Sequence, residues 1–108
     1  MKIQNLIKVI SSSFQRRRDS AWQAENSRYA SGQITKDEAR ATKRSLDAGL
    51  EAFEKSIPTV AELENDAEVS GIAGRIFSTP LSQVPAIIDA AVKNANTWAD
   101  AIAALKGE

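Results

Sequence analysis

Residues 31–58 read SGQITKDEARATKRSLDAGLEAFEKSIP and punctuate one helix at both ends. Thr35-Lys36-Asp37-Glu38 is a capping box. The threonine hydroxyl accepts from the third helical amide, and the glutamate reaches back to the threonine amide. Ile34 stands where a hydrophobic staple onto Ala39 forms. Ala39, Leu46, Leu50, Phe53 and Ile57 then follow at spacings of 7, 4, 3 and 4, a core-facing seam. Pro58 ends the helix, because the residue before a proline is driven out of helical geometry. Upstream, Ser31-Gly32 stops the preceding segment, with Gly32 suited to the left-handed position past a helix end. A connection this short makes the two flanking helices antiparallel neighbours.

Towards the N-terminus, Ile3, Leu6, Ile7, Ile10 and Phe14 share one helical face. The stripe fades across Gln15 to Ser20 and resumes weakly with Ala21, Trp22 and Tyr29. Helix is expected from about residue 2 to about residue 30, with a break allowed at Ser11-Ser12-Ser13, since serine is a poor helix former. Unbroken, it would span roughly 40 Å. A compact chain of this length is only about 26 Å across, so part of the helix should project or pack on another subunit.

Beyond Pro58, Thr59-Val60-Ala61-Glu62 is a second capping box. Val60, Leu63 and Ala67 make one face. Val69, Ile72, Ala73, Ile76 and Phe77 make another, out of phase with it. A break is therefore expected between Glu64 and Gly71, with Asn65 to Glu68 re-capping a new helix. Ser78-Thr79-Pro80 marks a turn. Ser82 can cap a last helix that tolerates Pro85 in its first turn. Val84, Ile88, Ala91, Ala95, Trp98, Ile102 and Leu105 alternate spacings of 4 and 3, which predicts a single helix to the end of the chain. No strand pattern competes. The expected fold is an all-α antiparallel bundle of three to four helices with a long N-terminal helix, no sheet, and one domain over residues 1–108.

Composition narrows the chemistry. The 108 residues include no cysteine and no histidine. Disulfides, thiolate metal sites and cysteine nucleophiles are excluded, and the commonest general base is missing. Neither a Walker A loop nor a dinucleotide-binding fingerprint is present. Lys plus Arg and Asp plus Glu each number 14, yet residues 1–44 carry 10 basic against 4 acidic residues and residues 45–108 the reverse, +6 against −6. Halves of opposite sign can neutralise one another, pair between molecules or engage separate partners.

Arg16-Arg17-Arg18 is the sharpest local feature. With Lys8, Arg28, Arg40, Lys43 and Arg44 it forms a candidate phosphate-contacting face, and Trp22 and Tyr29 lie close enough in sequence to stack on bases. The competing reading is a solvated helix face whose arginines pair with the acidic stretch from Asp47 to Glu68. Residues 1–18 also read as a basic amphipathic helix of the kind that lies on anionic membranes, although Gln4, Asn5 and the serines dilute it. Gly71-x-x-Gly74 has the spacing of the backbone-clamping loop of KH domains, but that fold needs strands. Glycines that permit a kink or close helix contact are the plainer explanation. Glu51-x-x-Glu54 supplies half of the ExxE…ExxD metal set of all-helical nucleotide pyrophosphohydrolases, and no ExxD follows. Glu51 with Lys55 is instead an ordinary i,i+4 pair.

No cofactor, metal or catalytic residue is implied. The broken apolar stretch after Lys2 does not read as a signal peptide, and no run of 18 apolar residues occurs, so a cytoplasmic protein is expected. The leading expectation is a non-enzymatic helical interaction or assembly module, a small accessory protein of bacterial or phage type. It would dock on another protein or on a copy of itself. The alternative is a nucleic-acid-binding protein using the basic face of residues 1–44.

Overall fold

The computed structural model describes residues 2–107. They form six α-helices and no strand: α1 (Lys2–Ala30), α2 (Lys36–Lys55), α3 (Val60–Glu64), α4 (Ala67–Ile76), α5 (Val84–Val92) and α6 (Trp98–Lys106). A 3-10 turn, Leu81–Gln83, leads into α5.

The capping box at Thr35 is formed in both directions: the Glu38 amide donates to Thr35 Oγ1 at 3.2 Å and the Thr35 amide to Glu38 Oε1 at 3.0 Å. The Thr35 amide bond holds the Glu38 carboxyl below its usual range. Gly32, at φ +80°, closes α1 in a Schellman turn. Its amide donates to the Tyr29 carbonyl, and that of Gln33 to the Arg28 carbonyl. Helix α1 is unbroken at 29 residues, about 43 Å. The three serines do not interrupt it, because Ser13 is buried and its hydroxyl is donated to Asp89 on α5.

The side-chain pairs between α1 and α2 run in opposite directions: Phe14 with Phe53, Arg18 with Asp47, Trp22 with Lys43, Glu25 with Thr42. The two helices are thus an antiparallel hairpin, and its two halves differ in environment. At the base, Ile3, Leu6, Ile10 and Phe14 of α1 and Phe53 of α2 enter one buried cluster with Leu63, Val69, Ile72, Ile76, Val84, Ile88, Val92, Trp98 and Leu105. All six helices contribute to this head. Leu50 still packs against the core of the head; beyond it the hairpin's seam rests on the half-buried Trp22 and Leu46, with Ile34 and Ala39 closing the tip. The molecule measures 49 × 27 × 22 Å with a radius of gyration of 15.9 Å. A compact chain of this size would have about 13 Å. Ile3, Leu6, Ile10 and Phe14, the apolar stripe of the basic N-terminal segment, are buried in the head.

Two sequence expectations fail in the C-terminal half. The break after Glu64 is present, with Asp66 accepting from the amides of Glu68 and Val69. The last helix, however, is two helices, which makes six rather than three or four. Ser82 lies in the 3-10 turn, and no side chain caps α5. The chain leaves the helix after Val92, and Thr97 starts α6 by accepting from the Asp100 amide. A single helix over 82–105 would run about 35 Å, longer than the head is wide. Asn94, Asn96 and Thr97 favour turns and caps over helix interiors, so the chain folds back there. Trp98, Ile102 and Leu105 then enter the same core as Val84, Ile88 and Val92.

Gly71 and Gly74 lie inside α4, so they form no loop, and a Cβ on either would meet no heavy atom within 4 Å. They do not mark a close helix contact. Gly71→Ala should therefore stabilise the protein by about 0.5–1 kcal/mol, since only the backbone entropy of glycine is removed. Gly32→Ala should destabilise it by about 1–2 kcal/mol, because the left-handed position penalises any Cβ. Phe53→Ala should cost about 3–5 kcal/mol. Urea denaturation midpoints at a constant m-value test all three.

Candidate functional site

The arginine run sits at the neck, where the hairpin leaves the head, and each arginine has a separate intramolecular partner. Consecutive residues on a helix are about 100° apart, so three in a row fan over most of its circumference. Arg16 turns to α5. Its Nη2 lies 2.6 Å from Asp89 Oδ1 and its Nε 3.3 Å from Oδ2, while Ser13 Oγ donates to Oδ1 at 2.5 Å. The Arg16 hydrogen bond chiefly, with help from Ser13, holds the Asp89 carboxyl below its usual range against a smaller opposing effect of burial.

Arg17 crosses the end of α5. Nη1 donates to the carbonyls of Val92 at 3.1 Å and Lys93 at 2.9 Å, and Nη2 to Ala95 at 2.8 Å. The Val92 and Lys93 carbonyls close α5 at the negative end of its dipole, where intrahelical donors run out, and the Val92 carbonyl also accepts from the Ala95 amide at 2.9 Å. The same guanidinium lies 4.4 Å above the Phe14 ring, which stacks on Phe53 at 3.7 Å between centroids. Arg18 turns to α2 and pairs with Asp47 at 2.6 Å and Asp19 at 2.8 Å. The arginine run is thus bound within the chain, partly by Asp47 of the acidic stretch and partly by Asp89 and α5.

The remaining candidates lie on the hairpin. Trp22 is half-buried under Lys43, whose Nζ is 5.2 Å from the ring. Arg28 pairs with Glu25 at 3.2 Å, and Glu25 also accepts from Thr42. Tyr29 is 42% exposed. On α2, Lys36, Arg40, Lys43 and Arg44 occupy adjoining i+3 and i+4 rows. Among the described residues these four make no ion pair. Trp22 with Lys43 marks one flank of the hairpin. The other flank is a groove floored by small residues, Ala21, Ser45, Gly49 and Ala52.

Fold therefore divides the basic face in two, a neck that holds the head together and a tip that is free in solvent. Lys36 was not singled out by sequence reading, and only its place one turn below Arg40 adds it to the row. Asp89 was missed as well. Its signal was a lone charge in the apolar run VPAIIDAAV.

Asp37 and Glu38 stand in the first turn of α2 beside the tip cations, and further acidic residues follow from the end of α2 through α3 to α4. Glu51 pairs with Lys55 at 2.9 Å and Glu68 with Lys106 at 3.2 Å. Glu54, Glu62 and Glu64 are exposed and make no ion pair among the described residues. No group of three or more acidic side chains there is arranged to hold a metal ion. Among the described residues no helix is long and apolar enough to cross a membrane. Comparison of the chain with family models, curated proteins and solved structures finds no significant match.

Removing Arg17 should do more than removing Arg18. Arg17→Met removes the guanidinium from Phe14 and from the Lys93 and Ala95 carbonyls, while the Val92 carbonyl keeps the Ala95 amide, and a loss of about 1–2 kcal/mol is expected. Arg17→Lys should not restore it, because one ammonium cannot span three acceptors in a planar fork. Arg18→Met should lower the urea midpoint less than Arg17→Met does, because solvent screens its ion pairs.

The Asp89 pair also predicts an acid response. A carboxyl lowered in the folded state contributes stability above its unfolded pKa of about 4, and that contribution is lost as pH falls through the lowered value. Asp89→Asn should flatten the stability profile below about pH 4 while leaving its shape above pH 6 unchanged, measured by urea melts across pH.

Proposed function

We propose that the protein is a non-enzymatic helical interaction module, an accessory or assembly protein whose bundle-like head presents a projecting two-helix hairpin to a partner. The observation that carries this reading is the hairpin itself. Its outer half buries little, yet the chain completes it with a full capping box and a Schellman turn. Helix built beyond the core it serves is surface held out for contact. The exposed tip carries Tyr29 and cations without ion pairs, the residue types that anchor and steer docking. With no histidine or cysteine in the chain, this reading assigns no catalytic residue.

The test is capture by the immobilised protein compared with a Tyr29→Ala, Arg40→Ala, Arg44→Ala variant. Partners bound by the first should be lost by the second while the thermal midpoint stays within about 2 °C, as for surface substitutions. Capture that ignores these substitutions counts against the hairpin as the docking element.

A second reading, nucleic-acid binding, is favoured by one feature: the row of Lys36, Arg40, Lys43 and Arg44 beside Trp22 and Tyr29. It requires that labelled single-stranded DNA, duplex DNA or RNA bind with an affinity that falls steeply with added salt. Four phosphate contacts would give a log–log salt slope of about −3 to −4. Flat anisotropy at low salt would end that reading.

A further inference from the structure

We propose that the basic hairpin tip of one copy docks on the acidic α2–α3 corner of a second copy, so that the chain assembles head to tail. This rests on the interaction-module reading and names its partner.

Helix α2 is a single rigid rod. It carries Lys36, Arg40, Lys43 and Arg44 in its first half and Glu51 and Glu54 near its end, with Glu62 and Glu64 on α3 just beyond. At 1.5 Å per residue, Lys36 and Glu54 stand about 27 Å apart along the axis. The Debye length at physiological ionic strength is about 8 Å. Lys36 and Glu54 therefore scarcely feel one another within one molecule, and α2 cannot bend to bring them together, while Arg44 and Glu51, nearest across the gap, stand about 10 Å apart along the axis. Arg16 and Arg18 find Asp89 and Asp47 because the fold puts those partners within reach. Lys36, Arg40 and Arg44 at the tip and Glu54, Glu62 and Glu64 at the corner make no ion pair among the described residues.

Helix stability accounts for Asp37 and Glu38 in the first turn of α2 and for Lys55 in its last turn, but not for Lys36 and Glu54, which sit at the unfavourable ends of the helix dipole. The surface complementary to the tip is present on every other copy of the chain. Joining unlike ends is a heterologous contact, and it leaves a free tip and a free corner on each assembly, so growth is open-ended unless the rotation closes a ring.

The test is sedimentation velocity and light scattering of the full chain over a concentration series at low and at high salt. The weight-average mass should rise above 11.7 kDa with concentration at low salt and return to it at high salt. Two variants make the test specific. Lys36→Glu, Arg40→Glu, Arg44→Glu reverses the tip and leaves Lys43 on Trp22. Glu54→Lys, Glu62→Lys, Glu64→Lys reverses the corner. Each alone should stay monomeric. Mixed in equal amounts they should co-assemble above the monomer mass, because the acidic tip of the first meets the basic corner of the second and the basic tip of the second meets the acidic corner of the first. Circular dichroism confirms folding, and the milder Arg40→Gln, Arg44→Gln variant serves if the tip reversal unfolds.

A wild type that stays monomeric at every concentration in low salt overturns the proposal. So does self-association that survives both reversals, or a folded pair of variants that do not recover association on mixing. Salt-sensitive binding of an oligonucleotide without any self-association also overturns it, in favour of a phosphate partner. If self-association fails while capture still depends on Tyr29, Arg40 and Arg44, the head-to-tail contact falls and the interaction-module reading stands.

Discussion

The rest of the structure hangs on the stack at the neck. Phe14 lies flat on Phe53, and the Arg17 guanidinium roofs the Phe14 ring before reaching the carbonyls of Val92, Lys93 and Ala95. One cluster thereby joins α1, α2 and the end of α5. Below it both hairpin helices are buried in the head, and above it they have only each other. Two helices packed along a half-buried seam are marginal by themselves, because most helical stability comes from tertiary burial. The outer hairpin is held by its continuity with the base, through unbroken hydrogen bonding along α1 and α2.

The charged groups serve two ends. Those at the neck replace water with protein partners. Arg17 satisfies carbonyls that α5 leaves open, and Arg16 and Ser13 hold Asp89. Their individual contributions are modest, since exposed ion pairs are worth little and several of these are partly solvated. Their value is geometric: they set where α5 ends and how it lies on α1. At the tip, Arg28 holds Glu25 and Lys43 covers Trp22, whereas Lys36, Arg40 and Arg44 have no partner of that kind. An all-helical head of this type is compatible with many activities, so function lies in such surface groups rather than in the fold.

Much was legible from local chemistry. Thr35 and Glu38, Gly32, Pro58, and the phase slip between Leu63 and Val69 each act through neighbours within a few residues, and each appears where the sequence puts it. The long first helix and its projection followed from the same local continuity. The last helix was misread because the 4 and 3 alternation from Val84 to Leu105 survives a fold-back, in which both pieces turn the same kind of face to one core. The candidate site was legible as composition and misleading as geometry. Arg16, Arg17 and Arg18 looked like one patch, but their neighbours Asp89, Val92 and Asp47 are distant in sequence, and nothing local announces them.

The sequence by itself determined the helices, most of their ends and the segregation of charge, because caps, turns and periodicity act over a few residues. Only the tertiary structure decided which cations are bound and which are free. That outcome depends on which side chains from remote segments come within about 3 Å, a distance at which a partner exists or does not. It also decided that the free cations and free acids stand at opposite ends of a rod too stiff to bring them together.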